Sequence, residues 1–271
     1  MKRILAAIML VAASASAQDL GGFERILFPV LSHSPLRGAN GTVFRTVLIA
    51  SALEPVAYYP ATVNGNGPSV GLQPAGFESV QFFEEVPRSA GRLLYFDRTR
   101  TDKISFLFQL GVTGPDQSEH TTTLPVVRER QLQRGPSLLL GLATAPIYDL
   151  SSFPNPKTIG FRTRNHVRIY DVDNTGTLAM RVRVTVPVLA AYGPFADYQV
   201  LLAARDGNDA SYPYYVDLAL PDLCITAPTG ITCRFFALTV SIEPSNPTAR
   251  YWAFASATDN ASSETSLLFQ Q

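Results

Sequence analysis

Apolar and polar residues alternate one by one along many short segments, and this pattern limits the possible fold more than any other feature. In 178–188 (LAMRVRVTVPV) every second residue is apolar, while Arg181 and Arg183 lie on the opposite side, and 104–112 (ISFLFQLGV) alternates in the same way. Further strands are predicted near 25–31, 43–53, 77–83, 92–97, 137–143, 166–171, 214–220, 234–242 and 250–257. Such strands predict an all-β chain of β-sandwiches, because each half-buried sheet needs another sheet to cover its apolar face.

One segment departs from this pattern. In 194–206 (PFADYQVLLAARD) the residues Phe195, Tyr198, Leu201 and Leu202 are spaced near one face of a helix. A helix is therefore the expectation for this segment alone.

A Phe-Arg-Thr triplet occurs twice, at 44–46 and at 161–163, and the copies begin 117 residues apart (161 less 44). An apolar segment and a loop precede each copy, and each half ends with an aromatic strand. A repeat of this size indicates two copies of a domain. The charged segment 128–137, broken by Gly-Pro, is the predicted linker, which gives domains 18–134 and 135–271.

Three motifs carry a resemblance to a family: GANGTVFRT (38–46), the second triplet with Asn165, and SATDN (256–260). Together they resemble a group of uncharacterised exported bacterial proteins that have two tandem β-sandwich domains. Val47 stands where that group usually has Asp, and Arg164 is inserted before Asn165. The resemblance supports a reading of two tandem immunoglobulin-like β-sandwich domains, and it implies no activity and no catalytic residue.

The N-terminus has the order of a secretory signal peptide. Lys2 and Arg3 precede a short apolar run, and Ala15-Ser16-Ala17 then provides the small-x-small pattern of a cleavage site. We therefore expect residues 1–17 to be removed, a mature chain from Gln18, and a periplasmic, cell-surface or secreted location. No later apolar stretch is long enough to predict a transmembrane helix.

Charge argues against nucleic acid as a partner. Loss of Lys2 and Arg3 from the 22 positive residues leaves 20 against 22 negative ones, a net charge of −2. The expected partners are an envelope protein or an anionic glycan, and no cofactor is expected.

Two cysteines, Cys224 and Cys233, flank the turn residues 228–230 (Pro-Thr-Gly). In an exported chain such a pair predicts one disulfide between the arms of a hairpin, with a gain of roughly 2–3 kcal/mol for so short a loop. No histidine or acidic cluster beside them suggests a metal site instead.

We expect the intact mass of the mature protein to correspond to a chain that begins at Gln18. Alkylation should label Cys224 and Cys233 only after reduction, because a disulfide protects both thiols. Labelling of both cysteines without reductant, in protein recovered from outside the cytoplasm, would exclude the disulfide.

The segment DVDNTG (171–176) resembles part of a calcium loop, with Asp171 and Asp173 as weak candidate ligands. Thr175 is a poor ligand, and Val182 stands where a bidentate Glu is needed. Asn and Gly are also common in hairpin turns. The structural turn is therefore favoured over calcium.

The same region predicts an arginine-rich sheet face. If 158–176 forms a strand and the turn of a hairpin, alternation places His166 and Tyr170 on the face that also carries Arg162, Arg164, Arg168, Arg181 and Arg183. Like charges at cross-strand distance repel one another. Three readings remain open: solvated arginines, neutralisation by acids such as Asp217, or binding of an anionic polymer or sugar.

No catalytic motif is apparent. The three histidines, His33, His120 and His166, lie near no G-x-S-x-G or H-E-x-x-H pattern, although a carboxylate pair using 84–85 or Asp222 stays open. The sequence therefore favours an exported, non-catalytic structural or interaction protein of the bacterial cell envelope or exterior. A carbohydrate- or anionic-polymer-binding module that uses the arginine face is the first alternative, and an uncharacterised hydrolase is the second.

Overall fold

A computed structural model of the protein describes residues 22–32, 35–38, 41–59, 70–72, 78–79, 89–144, 146–149, 157–161, 163–186, 194, 196–208, 210–220, 236–259 and 265–269. The signal-peptide segment, Arg162, Cys224 and Cys233 lie outside these residues, and so do His33, the acids at 84–85 and Asp222. The predictions of a leader and of a disulfide stay predictions.

The described chain is built from antiparallel strands, which confirms the all-β prediction. The first ten strands are β1 (Phe23–Leu31), β2 (Leu36–Arg37), β3 (Val43–Ala52), β4 (Val56–Tyr59), β5 (Val70–Leu72), β6 (Glu78–Ser79), β7 (Ser89–Asp97), β8 (Ile104–Thr113), β9 (Glu119–Thr123) and β10 (Val127–Arg128). The second ten are β11 (Ser137–Thr144), β12 (Pro146–Asp149), β13 (Lys157–Phe161), β14 (Thr163–Asp171), β15 (Ala179–Thr185), β16 (Ala196–Leu201), β17 (Tyr214–Ala219), β18 (Phe236–Pro244), β19 (Tyr251–Asp259) and β20 (Thr265–Phe269). Short 3-10 turns span Thr101–Lys103 and Glu129–Gln131. Within the described part of the chain, no helix is long and apolar enough to cross a membrane.

The helix prediction for 194–206 is wrong. Residues 196–201 form β16, which pairs with β15 along its whole length. The segment also alternates with period two: Ala196, Tyr198 and Val200 pack against the core. Cross-strand pairing with β15 therefore outweighs the helical spacing of the larger apolar residues.

The first ten strands form one unit with a single core, called here the N-terminal unit. Sheet I has the order β10-β1-β7-β4-β5. Sheet II has the order β2-β3-β8-β9, and β6 pairs with the same edge of β3 as β2, further along that strand. The two sheets enclose a core that includes Ile26, Phe28, Leu48, Tyr58, Phe96 and Phe108.

The second ten strands form the C-terminal unit. Sheet III has the order β11-β18-β15-β16, sheet IV has the order β17-β14-β19-β20, and β12 and β13 form a separate ribbon. Sheets III and IV enclose a core that includes Leu139, Val167, Ile169, Val182, Val240 and Tyr251.

The strand order is the same in the two units. The order β1-β7-β4-β5 in sheet I corresponds to β11-β18-β15-β16 in sheet III, and β6-β3-β8-β9 in sheet II corresponds to β17-β14-β19-β20 in sheet IV. In both copies the Phe of the triplet pairs with a preceding short strand: Phe44 of β3 with Leu36 of β2, and Phe161 of β13 with Pro146 of β12. The side chain of Phe161 lies outside the described part of the chain.

Sheet I packs against sheet IV, and this contact joins the two units. In β1, Ile26 and Phe28 face the core of the N-terminal unit, while Leu27 faces the C-terminal unit. On the sheet IV side of the contact, the rings of Tyr170 and Trp252 stack with centroids 6.0 Å apart. The apolar cluster at this contact contains Leu27, Ala90, Leu93, Val127, Tyr170, Val172, Trp252 and Phe254.

A buried ion pair closes one end of this contact. Asp173 accepts hydrogen bonds from Arg25 Nη2 at 3.0 Å and from Arg250 Nε at 2.8 Å, and Arg25 Nη1 donates to the carbonyl of Val172 at 2.7 Å. The side chain of Arg25 is only 5% exposed. Removal of one partner from such a pair leaves a buried charge uncompensated, so the network holds the units in one relative position.

Gly91 in β7 is needed where the units approach most closely. Its φ is +155°, and a Cβ atom there would lie 2.8 Å from the Phe28 carbonyl oxygen and 3.2 Å from the Tyr170 ring. Only glycine adopts this backbone conformation without strain.

We expect Gly91→Ala to lower the free energy of unfolding by about 2 kcal/mol or more, which is a fall in Tm of roughly 5–10 °C. Gly111→Ala in β8 is the matched control, because Gly111 has no positive φ and its Cβ would meet nothing nearer than 3.6 Å. Thermal unfolding followed by circular dichroism measures both. Equal Tm values for the two variants would show that Gly91 is not needed.

Candidate functional site

The segment 158–176 does not lead into a hairpin. β14 belongs to sheet IV and β15 to sheet III, so the turn between them crosses from one layer of the unit to the other. In each strand the arginines face away from the shared core, and the outer faces of two packed sheets point in opposite directions. The prediction that Arg181 and Arg183 share a face with Arg164 and Arg168 is therefore wrong.

The two arginines of β15 form exposed ion pairs on the outer face of sheet III. Arg181 donates from Nε to Asp197 Oδ1 at 2.9 Å and from Nη2 to Oδ2 at 2.6 Å. Arg183 Nη2 lies 3.3 Å from Glu243 Oε2. Acids on neighbouring strands therefore neutralise this face.

The turn after β14 is built around Asp171. Its buried carboxylate accepts hydrogen bonds from the backbone N–H groups of Asn174 (3.1 Å), Thr175 (2.8 Å) and Gly176 (3.1 Å), and from the Thr175 hydroxyl. Asp173 is held by the two arginines at the contact between the units. Both carboxylates of the weak calcium candidate are thus engaged in holding the fold, and no group of three or more potential metal ligands occurs among the described residues.

The arginines of β14 face a cleft of about 430 Å³ between the two units. β14 places Arg164, His166 and Arg168 on the face that continues from the sheet I contact. The N-terminal unit contributes Val30, Ser32, Leu36, Phe44, Leu110 and Leu124 to the cleft. The C-terminal unit contributes these three residues together with Asp217, Phe254, Ser256, Thr258, Thr265 and Leu267.

Asp217 on β17 neutralises part of this charge. It accepts a hydrogen bond from Arg168, and His166 Nδ1 lies 3.7 Å from Asp217 Oδ1. Burial alone would raise the pKa of Asp217, but His166 and Arg168 together lower this pKa to about 2. Asp217 is therefore ionised at physiological pH and balances Arg168.

Among the described residues, Arg164 has no acid that neutralises its charge. Within the described part of the chain, no acid pairs with Arg164, and the buried Nε atoms of Arg164 and Arg168 have no hydrogen-bond acceptor. A buried N–H group without an acceptor costs about 1–3 kcal/mol. Among the described residues, the cleft therefore carries one positive charge, that of Arg164, without a paired acid.

Tyr170 lies on the same face of β14 as Arg168 and belongs to the apolar cluster of the contact. Its hydroxyl donates to the carbonyl of Ala90, and burial raises the pKa of Tyr170 to about 12. It is therefore a neutral hydrogen-bond donor. Its cross-strand neighbour is Trp252, and Arg168 and Phe254 form the next pair on this face and line the cleft.

Sequence reasoning identified the cleft's basic residues and Asp217 but missed its apolar half. Phe44 and Leu110 belong to the N-terminal unit, and no local pattern connects them with β14. The motifs on which the resemblance rests could have indicated this site. Phe44 belongs to the first motif, Ser256 and Thr258 belong to the last motif, and all three residues line the cleft.

Comparison with protein-family models, with curated proteins and with solved structures gave no match to this chain.

We expect Asp217 to make stability depend on pH at low pH. Its pKa of about 2 in the folded state lies below the ordinary value of 3.8, so the stabilisation is complete above about pH 4 and is lost as the pH falls through 2. The Tm difference between the parent and Asp217→Asn should shrink as the pH is lowered from about 4 to 2. Parallel Tm curves for the two proteins over this interval would contradict the role of Asp217.

Proposed function

We propose that this chain is an exported, non-catalytic interaction protein of the bacterial cell envelope or exterior, which binds an anionic ligand in the cleft between two tandem immunoglobulin-like domains. The location draws on the N-terminal signal-peptide pattern and on the resemblance to exported proteins. The domain assignment draws on the repeated strand order and on the pairing of Phe44 and Phe161 each with a preceding short strand.

One observation carries the choice of an anion: two arginines and a histidine on β14 face the cleft, with a single acid among the described residues that line it. Arg164, His166 and Arg168 line the cleft, and Asp217 is the one acid among the described lining residues. Guanidinium groups bind carboxylate and phosphate through paired, charge-assisted hydrogen bonds. An anion would therefore balance the charge of Arg164.

Binding is favoured over hydrolysis by the geometry around His166. Ser256 stands directly across from His166 in the pairing of β14 with β19. Hydrolysis by a serine needs the base within hydrogen-bond reach of the hydroxyl. Among the described residues no hydrogen bond joins Ser256 to His166, whose ion-pair partner is Asp217.

The alternative of an acidic polymer bound along an outer sheet face has lost its main support. That reading needed five arginines side by side. Arg181 and Arg183 lie on the far face of the C-terminal unit and are paired with Asp197 and Glu243. In the cleft, by contrast, Arg164 has no paired acid among the described residues.

We expect small anions, tested as phosphate, citrate and a galacturonate dimer, to raise the Tm of the mature protein at low salt and to do so less at high salt, because salt screens charge contacts over about 10 Å at 0.1 M. Arg164→Gln should weaken the binding by roughly tenfold or more, since a hydrogen bond to a charged group contributes about 1.5–3 kcal/mol. Calorimetric titration gives the dissociation constants.

Arg181→Gln is the matched control, because it removes the same charge from the outer face of sheet III, and it should leave anion binding unchanged. Equal binding by Arg164→Gln and the parent would contradict the cleft as the site. A chromogenic acetate ester tests catalysis separately, and hydrolysis that Ser256→Ala abolishes would replace the binding proposal with the hydrolase alternative.

A further inference from the structure

We infer that the ligand of the cleft is an amphiphile with one anionic headgroup and an unbranched apolar chain, of which a long-chain carboxylate is the simplest example. This inference rests on the proposed function and adds the ligand class. It follows from the cleft's two chemically different halves, one apolar and one cationic.

The apolar half is continuous with the core of the N-terminal unit. Leu110 and Leu124 are only 6% and 3% exposed, belong to that core and line the cleft as well. Phe44 packs against the same core from the side of the cleft. A sugar or an inorganic anion in this half would leave its own polar groups against hydrocarbon without hydrogen bonds, which is unfavourable.

The C-terminal unit supplies the opposite wall of this half. Phe254 of β19 and Leu267 of β20 line the cleft. Leu267 also packs against the core of the N-terminal unit and against the apolar cluster between the units. The apolar half is thus enclosed between two sheets, as a slot for hydrocarbon requires. Contact with hydrocarbon on both sides favours a narrow chain over a bulky polar ligand.

The cationic half carries one surplus charge at neutral pH. Asp217 is ionised and balances Arg168, which leaves Arg164 for the headgroup. Ser256 and Thr258 also line this half, and the Thr258 hydroxyl is hydrogen-bonded to that of Thr265 at 3.0 Å. One surplus charge matches a monoanion, and a volume of about 430 Å³ lies in the range of single small-molecule sites.

The fluorescence of Trp252 can report binding of the ligand's apolar chain. Trp252 is the only tryptophan of the chain, and its ring centroid lies 5.5 Å from that of Phe254, which lines the cleft. A hydrocarbon chain that contacts Phe254 would change the surroundings of Trp252, so its fluorescence follows occupancy of the apolar half.

The experiment titrates the mature protein with octanoate, decanoate and dodecanoate, each below its micelle concentration, and follows Trp252 fluorescence and heat. We expect the affinity to rise roughly fourfold per added methylene until the slot is filled. Dodecanol should bind at least tenfold more weakly than dodecanoate. Arg164→Gln should lower dodecanoate affinity at least tenfold and leave dodecanol affinity unchanged.

Leu267→Ser tests the slot without touching the buried core positions of the N-terminal unit. It should weaken binding of both dodecanoate and dodecanol, whereas Leu201→Ser, at a 54% exposed position of sheet III, should weaken neither. Circular dichroism checks that each variant is folded.

The outcomes separate the two proposals. If acetate or phosphate binds as tightly as dodecanoate and Arg164→Gln weakens all three, the anion site stands and the amphiphile is overturned. If dodecanol binds as tightly as dodecanoate and Arg164→Gln has no effect, the headgroup assignment is overturned. If no anion of any length binds, the proposed function itself falls.

Discussion

The contact between sheet I and sheet IV is the interaction on which the rest of the structure depends. It makes sheet I apolar on both faces, with Phe28 in one core and Leu27 in another. Asp173 adds a buried charge that only the paired arginines of both units can satisfy. The two units are thereby fixed as a stack of four sheets, in the order II, I, IV, III.

The cleft is a direct consequence of this arrangement. One face of β14 begins with Arg164 and ends with Tyr170, so the same strand supplies a charged surface at one end and an apolar contact at the other. Sheet I covers the apolar end completely. At the charged end the facing wall is the end of the N-terminal core, where Leu110 and Leu124 reach the surface of the cleft.

The sequence predicted the structural features that depend on nearby residues, such as strands and turns. It did not predict the features that depend on contacts between distant parts of the chain. Alternation located most strands, and a structural turn at 171–176 was predicted from the residues of the turn itself, which lie within five residues of Asp171. Alternation could not reveal that β14 and β15 lie in different sheets, because a short turn can connect either two paired strands of one sheet or two strands of different sheets. The partner of Asp173, Arg25, is 148 residues away, and nothing local indicates that pair.

The apolar residues on both faces of sheet I also affect how the chain folds during its synthesis. Synthesis runs from the N-terminus, so Leu27, Leu93 and Val127 are complete before the strands that carry Tyr170 and Trp252 exist. Until then the finished N-terminal unit presents an uncovered apolar surface, the kind that promotes association between nascent chains. The order of synthesis thus creates an interval in which this half needs shielding, and docking of the C-terminal unit ends it.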